Sequence, residues 1–197
     1  MCGRYALHAN PEVVALQFGL DSAPPFKPSY NVCPGSDILV VSGARKPALL
    51  RWGAGSKLIN ARAETLTQRP AFRQAFRQHR CLVPASGFYE WQSMAGKKQP
   101  WYVLPTEQRL FALAGIVLLW QGMRSVAIVT TTPNELMADI HGRMPVIIPS
   151  ESHEAWLGTG DGEALLRPYS ADRMHAHRVS LRVNAPANDD ESLLQPI

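Results

Sequence analysis

The stretch LFALAGIVLLW (110–120) and the stretch SVAIVTTT (125–132) decide the fold, and the short polar segment QGMR (121–124) joins them. In both stretches apolar residues follow one another without alternation. Continuous apolar runs of this length are typical of strands that are buried on both faces. The first run has eleven residues, which is too short for a membrane-spanning helix. The pair therefore predicts two connected strands at the centre of a folded core.

More strands are predicted on either side of this pair. GFYEWQ (87–92) and PWYVLP (100–105) flank SMAGKK (93–98), whose Gly96 suits a turn, so these segments predict a hairpin. Two further strands are predicted in MPVII (144–148) and in the alternating segment HRVSLRVN (177–184).

Helix signals lie between these strands. In NPEVVALQFG (10–19), Asn10 can cap a helix, Pro11 suits its first turn and Gly19 can end it. A second helix is predicted in RPAFRQAFRQHR (69–80), with Phe72 and Phe76 on one face and three arginines beside them. Shorter helices are predicted in NELMADI (134–140), capped by Asn134, and in SESHEAWLG (150–158), capped by Ser150.

Helices scattered among mostly hairpin-connected strands predict an α+β fold. We expect a mixed, largely antiparallel, barrel-like sheet with peripheral helices. The 197 residues contain no linker, repeat or low-complexity tract, so a single domain spanning residues 1–197 is predicted.

Composition narrows the class of protein. Hydrophobic residues make up 46% of the chain and charged residues 18%, which is typical of a globular protein. The net charge of +4 permits a polyanionic partner without establishing one. Three scattered cysteines and the lack of a secretory leader predict a cytoplasmic protein without membrane association. No nucleotide-binding loop or metal-ligand motif is present, so we expect no cofactor and no metal. Nothing in the sequence suggests an obligate dimer, so we expect a monomer.

The chain begins MCGRYAL (1–7), with a cysteine directly after Met1. If Met1 is removed, Cys2 carries a free amine and a thiol on adjacent carbons. Such a pair condenses with an aldehyde, first as an imine and then as a five-membered thiazolidine ring. The same thiol can be a nucleophile for amide hydrolysis, or a small buried hydrophobe. While Met1 is attached, the nitrogen of Cys2 is an amide and the ring cannot form.

Three other segments carry candidate polar chemistry. KLINARAET (57–65) spaces Asn60, Arg62 and Glu64 by two, which places them on one face if the segment is extended; a polar loop is the other interpretation. Glu90 lies between Tyr89 and Trp91, and a carboxyl group among aromatic rings is poorly solvated, so its pKa should rise. If Glu90 faces outward on its strand, this effect disappears.

His141 stands at a predicted helix exit before Gly142 and Arg143, where it can face a cleft and move a proton near neutral pH. A purely structural histidine is the competing interpretation. We also considered His175 and His177 as metal ligands on a strand, but no further ligand motif accompanies them.

Taken together, the segments closely resemble the SRAP family, the "SOS response-associated peptidase" domain proteins that process abasic sites in DNA. The resemblance extends over nearly the whole chain in the family's order. It is carried by MCGRYA (1–6), YNVCPG (30–35), LRWG (50–53), INARAET (59–65), AFRQAFRQHRCLVPASGFYEW (71–91), AGI (114–116), TTTPNELMADIHGRMPVII (130–148) and VNAPANDDESLLQPI (183–197).

The resemblance implies the SRAP fold, loss of Met1 and a covalent, lyase-like reaction. In this family the N-terminal cysteine forms a thiazolidine with the ring-opened aldehyde of an abasic site in single-stranded DNA, which shields the lesion. Cys2 matches that nucleophile, and Asn60 matches the asparagine that holds the amino terminus. Glu90 matches the general acid/base, which is also tied to crosslink reversal and to removal of the methionine, and His141 matches the histidine that helps to open the sugar.

The resemblance also implies a DNA-binding surface. Arg4 and Arg62 match arginines that bind phosphates around the lesion, and Trp52 and Pro34 match residues that stack near or wedge beside displaced bases. The protein would then be associated with the nucleoid when bound to DNA. Many members carry a longer insert before the INARAET motif, whereas here only AGSK and LI separate Gly53 from Asn60. Two rival functions stay open, a cysteine peptidase or amidase that uses Cys2 and a non-covalent DNA binder.

Overall fold

The structure is a computed structural model that describes residues 2–55, 58–94 and 96–197, with the backbone alone at residue 71. Met1, whose loss the resemblance implies, lies outside the described residues. The same holds for Lys57 and Ala95, which belong to two of the segments quoted above.

Over the described residues the chain forms thirteen strands and four α-helices, joined by loops and short 3₁₀ turns. In chain order they are β1 (Tyr5–Leu7), α1 (Pro11–Phe18), β2 (Ser29–Val32), β3 (Asp37–Ser42), β4 (Lys46–Trp52), β5 (Asn60–Arg62), α2 (Pro70–Gln78), β6 (Arg80–Ala85), β7 (Gly87–Met94), β8 (Lys97–Pro105), β9 (Phe111–Trp120), β10 (Met123–Thr131), α3 (Glu135–Ala138), β11 (Met144–Pro145), β12 (Ile147–Ile148), α4 (His153–Leu157) and β13 (Met174–Arg178).

Five strands close into a barrel in the order β10-β4-β3-β6-β9, and β9 pairs back onto β10. Every pair in the ring is antiparallel except β4 with β10. Strand β5 continues the parallel pairing along β10 beyond the end of β4. Because the ring is closed, each of its five strands is paired on both sides and the ring has no free edge strand. The prediction of an α+β fold with a mixed, largely antiparallel, barrel-like sheet is confirmed.

The two apolar runs that opened the sequence analysis are β9 and β10 of this barrel. The first eight residues of β9 and the last seven of β10 are all buried, on both faces. The interior is close-packed at Gly115, where a Cβ atom would come within 2.8 Å of the Cys81 sulfur. The prediction of two connected strands buried on both faces is therefore confirmed.

A second sheet has the order β13-β8-β7-β1-β2, with antiparallel pairing throughout. The predicted hairpin is β7 with β8, in a register that places Glu90 opposite Trp101. The C-terminal part of the chain packs on this sheet and forms a second small core with Ala6, Tyr89 and Tyr102, through Val179, Val183 and Leu193. Strand β7 therefore has a strand on each side, β8 and β1, and Tyr89 of β7 packs in this second core.

The two longer helices follow their sequence signals. The side chain of Asn10 accepts a hydrogen bond from the Val13 backbone N–H, and Gly19 ends α1 with a φ of 60°. Phe72 and Phe76 of α2 are buried, whereas its arginines are exposed. Among the described residues, no helix has the length and apolar content that crossing a bilayer requires.

Three local predictions were wrong in detail. MPVII divides at Val146, because β11 pairs with β10 and β12 pairs with β9 as the chain crosses between them. Ser150 does not cap a helix, since residues 150–152 form a 3₁₀ turn and α4 begins at His153. The half-exposed strand in HRVSLRVN ends at Arg178.

The failure in HRVSLRVN has an identifiable physical cause. The side chain of Ser180 accepts a hydrogen bond from the Arg182 backbone N–H and caps a 3₁₀ turn over Leu181–Asn184. Local hydrogen bonds of this kind compete with a strand ladder. The turn buries Val179 and Val183 and leaves Leu181 58% exposed, so the apolar alternation does not describe one buried face.

We predict that Gly87→Ala destabilises the protein, because the ring of Tyr102 covers this position. A Cβ atom on residue 87 would lie 2.2 Å from the Tyr102 ring and hydroxyl. Overpacking of this kind costs about 1–3 kcal/mol of unfolding free energy, measurable by urea denaturation. Gly160→Ala is the control, since nothing lies within 4 Å of its Cβ position. Equal stability of the two variants would contradict the packing described here.

Candidate active site

The N-terminal segment is carried to the site by strand pairing. Strand β1 lies between β2 and β7, with Tyr5 opposite Phe88. The pairing extends toward the terminus, because the Tyr89 backbone N–H donates to the Arg4 carbonyl at 3.0 Å. Cys2 therefore runs beside the part of β7 that contains Glu90, and it is fully buried.

Glu90 is a buried carboxyl group with a strongly shifted pKa. Its side chain is 2% exposed, and burial raises its pKa to about 7. Desolvation has this effect because a low-dielectric environment disfavours the ionised form. The prediction that the pKa of Glu90 rises is confirmed, and the outward-facing alternative is excluded. Near neutral pH, both the acid and the base form of Glu90 are populated.

The thiol of Cys2 is held in its neutral form. Burial raises its pKa far above the ordinary range, and the nearby charge of Glu90 raises it further. A hydrogen bond from the Arg4 backbone acts in the opposite direction but does not offset these effects. A reactive cysteine that exists as a thiolate at rest needs an electropositive environment that lowers its pKa. Cys2 lies in the opposite environment, so it requires a partner that removes its proton during reaction.

His141 is the third member of this cluster. Its Nδ1 atom lies 3.8 Å from Oε2 of Glu90, 3.0 Å from the Arg143 backbone nitrogen and 3.1 Å from the Arg143 carbonyl oxygen. Nδ1 therefore accepts from the N–H or donates to the carbonyl according to which ring nitrogen carries the proton. Burial lowers the pKa of His141, and the charges of Lys98 and Arg143 act in the same direction. The ring is therefore neutral at neutral pH.

Gln92 ties the His141 loop to the strand of Glu90, a contact that the sequence analysis missed. Its Nε2 donates to the carbonyl of Asp139 at 2.7 Å. Its Oε1 accepts from the Trp101 indole at 3.1 Å. Because both amide atoms of Gln92 are engaged, the loop before His141 is fixed relative to β7.

Arg143 ties the other side of the same loop to the barrel. Its guanidinium forms a bidentate ion pair with Glu64, with distances of 2.7 and 3.0 Å. One of its nitrogens also donates to the Thr130 carbonyl on β10 at 2.7 Å. The prediction that Glu64 shares a strand face with Asn60 and Arg62 was wrong, because β5 ends at Arg62 and a 3₁₀ turn follows.

Asn60 lies on the barrel. Strand β5 places it opposite Ile128, whose carbonyl accepts from the Asn60 amide at 3.4 Å. Its Oδ1 atom is buried and has no hydrogen-bond partner within the described parts of the chain. The preceding Ile59 carbonyl accepts from the Trp52 indole at 2.9 Å, and Trp52 packs edge-on against Tyr5 at 5.4 Å. Asn60 is thus linked by two contacts to the strand that follows Cys2.

The predicted DNA-binding residues lie in different environments. Arg62 and Pro34 are exposed. Trp52 is 1% exposed, so its ring offers no free face in this structure and acts as packing between the barrel and β1. Arg4 is half-buried, and its Nη1 donates to the Asn31 side chain and to the Val183 carbonyl, both at 2.7 Å. The phosphate-binding and base-stacking roles stay predictions.

A cluster of metal-ligating side chains would be another kind of candidate site. Within residues 2–55, 58–94 and 96–197, no three His, Cys, Asp or Glu side chains come together as metal ligands would. The prediction that the protein needs no metal stays a prediction.

Comparison with known proteins places this cluster in context. The model of the family described as "SOS response associated peptidase (SRAP)" matches residues 1–186. The chain is 39% identical to the abasic site processing protein YoaM of Bacillus subtilis (strain 168), covering 98% of this chain and 97% of YoaM. It is 38% identical to the abasic site processing protein YoqW of the same strain, over 99% of both chains.

A solved structure supports the fold. A protein from Bacteroides thetaiotaomicron superposes on this one with a TM-score of 0.89 and covers 100% of both chains. The two sequences are 23% identical, so the likeness shows the fold alone.

We predict that Glu90→Gln stabilises the protein at pH 8. The rise of the Glu90 pKa from 4.5 to about 7 means that the folded state retains a proton that the unfolded state releases. Stability is therefore lost as the pH rises from 4.5 to 7, by about 3 kcal/mol. Gln cannot ionise, so the advantage of the variant is largest at pH 8 and disappears toward pH 4, as measured by urea denaturation.

Glu64→Gln is the matched control for this experiment. The hydrogen bond from Arg143 lowers the pKa of Glu64, so its charged form stabilises the folded state, and the variant is expected to lose stability at pH 8. If Glu90→Gln is no more stable than the wild type at pH 8, the raised pKa of buried Glu90 is wrong.

We predict that Gln92→Leu releases the His141 loop. Solvent then reaches the ring, so the pKa of His141 rises toward its ordinary value, as measured by NMR titration of the imidazole protons. The control is Gln99→Leu, which lies opposite Gln92 but donates to the Pro100 and Val179 carbonyls instead. Each variant loses about 1 kcal/mol of stability. Identical His141 titration curves in both variants would show that Gln92 does not position the ring.

Proposed function

The chain belongs to the SOS response associated peptidase (SRAP) family, and on this premise we propose that it processes abasic sites by covalent capture in single-stranded DNA. One observation carries the proposal. A carboxyl group with a pKa of about 7 lies beside a buried, neutral cysteine at the second position of the chain and 3.8 Å from a neutral histidine. This group of side chains fits aldehyde capture better than amide hydrolysis.

The proposed reaction begins when hydrolysis removes Met1 and frees the amine of Cys2. The amine adds to the C1′ aldehyde of the ring-opened abasic sugar, and loss of one water gives an imine. The sulfur then adds to the imine carbon while the thiol proton passes to the nitrogen, which closes the thiazolidine. The balance is one amine, one thiol and one aldehyde in, and one thiazolidine and one water out. Ring closure is intramolecular and gains from proximity.

Proton transfer in these steps falls to Glu90 and His141. An abasic sugar is mostly a closed hemiacetal, and opening it requires a base at the hydroxyl and an acid at the ring oxygen. Glu90 serves either role near neutral pH because its pKa is about 7. The neutral His141 donates a ring proton toward the sugar. A carboxyl group tuned by burial next to a second titratable group is a recurring acid/base arrangement.

Asn60 is proposed to hold the freed amine. Its buried Oδ1 atom, which has no hydrogen-bond partner among the described residues, is an acceptor. An amine hydrogen bonded to this oxygen keeps its lone pair directed at the incoming carbon. The side-chain amide cannot compete for the proton as a base, so the amine stays nucleophilic.

The environment of Cys2 argues against a general cysteine peptidase. Such an enzyme needs a thiolate, and burial and Glu90 both raise the pKa of this thiol. In the capture reaction the thiol acts on an imine that is already activated, and its proton has an acceptor on the same intermediate. Self-removal of Met1 remains compatible with Glu90 as base, since it occurs once and is not a turnover reaction.

We predict that Cys2→Ala abolishes the covalent adduct with an abasic single-stranded oligonucleotide, and that Cys2→Ser gives an adduct that is lost on heating. An oxazolidine hydrolyses more readily than a thiazolidine. A denaturing gel with and without heating measures both, and intact mass confirms that Met1 is absent from each variant. Cys33→Ala is the control and should crosslink like the wild type, because Cys33 is half-buried elsewhere, with its thiol on the Asn31 carbonyl. An equally heat-stable adduct in Cys2→Ser would refute the thiazolidine.

A further inference from the structure

The end of the β9–β10 hairpin carries large apolar side chains that are exposed. Leu119 is 74% exposed, Trp120 is 42% exposed and Met123 is 67% exposed. The two turn residues, Gln121 and Gly122, have φ angles of 50° and 78°. Two consecutive positive φ angles are typical of a tight hairpin turn that matches the strand twist. The apolar side chains are therefore presented on a rigid element.

Trp120 forms one wall of a groove with a volume of about 960 Å³. The exposed Pro34 also lines the groove, together with Trp52 and Ile59. The indole of Trp120 lies against Gly55, where a Cβ atom would come 3.5 Å from the indole nitrogen. The Trp120 side chain thus contacts the Gly55 backbone, lines the groove and is still 42% exposed.

The groove adjoins Asn60 along the chain. Ile59, which lines it, directly precedes Asn60. Trp52 connects the two regions, because its indole donates to the Ile59 carbonyl and its ring packs against Tyr5. Trp52 and Ile59 thus link the groove to the residues that precede Asn60 and follow Cys2.

The charges of the groove are complementary to a polyanion. Arg51 and Arg124 line it and are exposed. The single acidic residue of the lining, Asp37, lies 3.6 Å from Arg51, which leaves an excess positive charge. A cationic groove with an exposed aromatic ring is the arrangement by which proteins hold single-stranded nucleic acid, with phosphates on the cations and bases on the ring.

We propose that Trp120 is a stacking platform for an unpaired base of the DNA strand next to the abasic site, with Arg124 bound to a neighbouring phosphate. The inference rests on the proposed function for the identity of the strand. It adds a residue that no part of the resemblance assigns, and it places the contact on the hairpin rather than on the shortened loop between Gly53 and Asn60.

The test measures binding separately from chemistry. The Kd for an undamaged single-stranded oligonucleotide is measured by fluorescence anisotropy, and the crosslinking rate constant is measured at saturating abasic DNA. Trp120→Ala should weaken binding about tenfold or more and leave the saturating rate constant unchanged. Trp120→Phe should retain most of the affinity because it keeps a ring. Leu16→Ala, on the exposed face of α1 with Leu16 85% exposed, is the control.

Arg124→Gln gives an independent readout. The salt dependence of binding should become shallower by about one unit in the slope of log K against log salt, whereas Trp120→Ala should leave the slope unchanged. These two results together support a base contact at Trp120 and a phosphate contact at Arg124.

The outcomes separate this inference from the proposed function. If the wild type crosslinks but Trp120→Ala binds like the Leu16→Ala control, the stacking role is wrong and the function stands. If the wild type binds through Trp120 but forms no adduct, the function fails and the stacking role stands. If the wild type is a dimer by light scattering and Trp120→Ala is a monomer with unchanged DNA affinity, the hairpin end is a contact between copies and the proposal is overturned.

Discussion

The site depends on the burial of one carboxyl group. Glu90 is removed from water because β7 lies in the interior of its sheet, between β8 and β1, with Trp101 directly opposite. Burying an ionisable group costs free energy, and the second core formed by the C-terminal segment packs on the same sheet. The shifted pKa of Glu90 follows from this burial. The neutral thiol of Cys2 follows first from its own burial and then from the charge of Glu90. A more open sheet would return both groups to ordinary behaviour.

A chain terminus is normally the loosest part of a domain, and under the proposed function it carries the nucleophile. The three-residue strand β1 is paired on both sides. Arg4 extends the attachment by donating to Asn31 and to Val183, and the Asn31 amide in turn donates to the Asn188 carbonyl at 2.7 Å. Residues near the two ends of the sequence are therefore joined by hydrogen bonds. This arrangement gives Arg4 a structural task that competes with a contact to phosphate.

Much of the fold was predictable because it is encoded locally. The unbroken apolar runs of β9 and β10 and the Asn10 and Gly19 signals of α1 each identify an element without tertiary information. The raised pKa of Glu90 was predicted from its aromatic sequence neighbours, but adjacent strand residues face opposite sides of a sheet, and its burial comes from the inner position of β7. The role of Gln92 was not predictable, because its partner is a backbone carbonyl 47 residues away and carbonyls carry no sequence signature. Trp52 illustrates the same limit, since LRWG does not reveal whether its ring is exposed or packed on Tyr5.

The candidate site lies where the two sheets meet, and this position explains its rigidity. Cys2 and Glu90 come from the second sheet, whereas Asn60 comes from the barrel through β5 and β10. The His141 loop is bound to both, through Gln92 on one side and through Arg143 and Thr130 on the other. One continuous hydrophobic core includes Cys2 and Tyr5 together with the barrel strands, so the sheets do not move as separate bodies. Groups fixed in this way need no rearrangement before reaction, which is the condition under which preorganised acid/base groups are most effective.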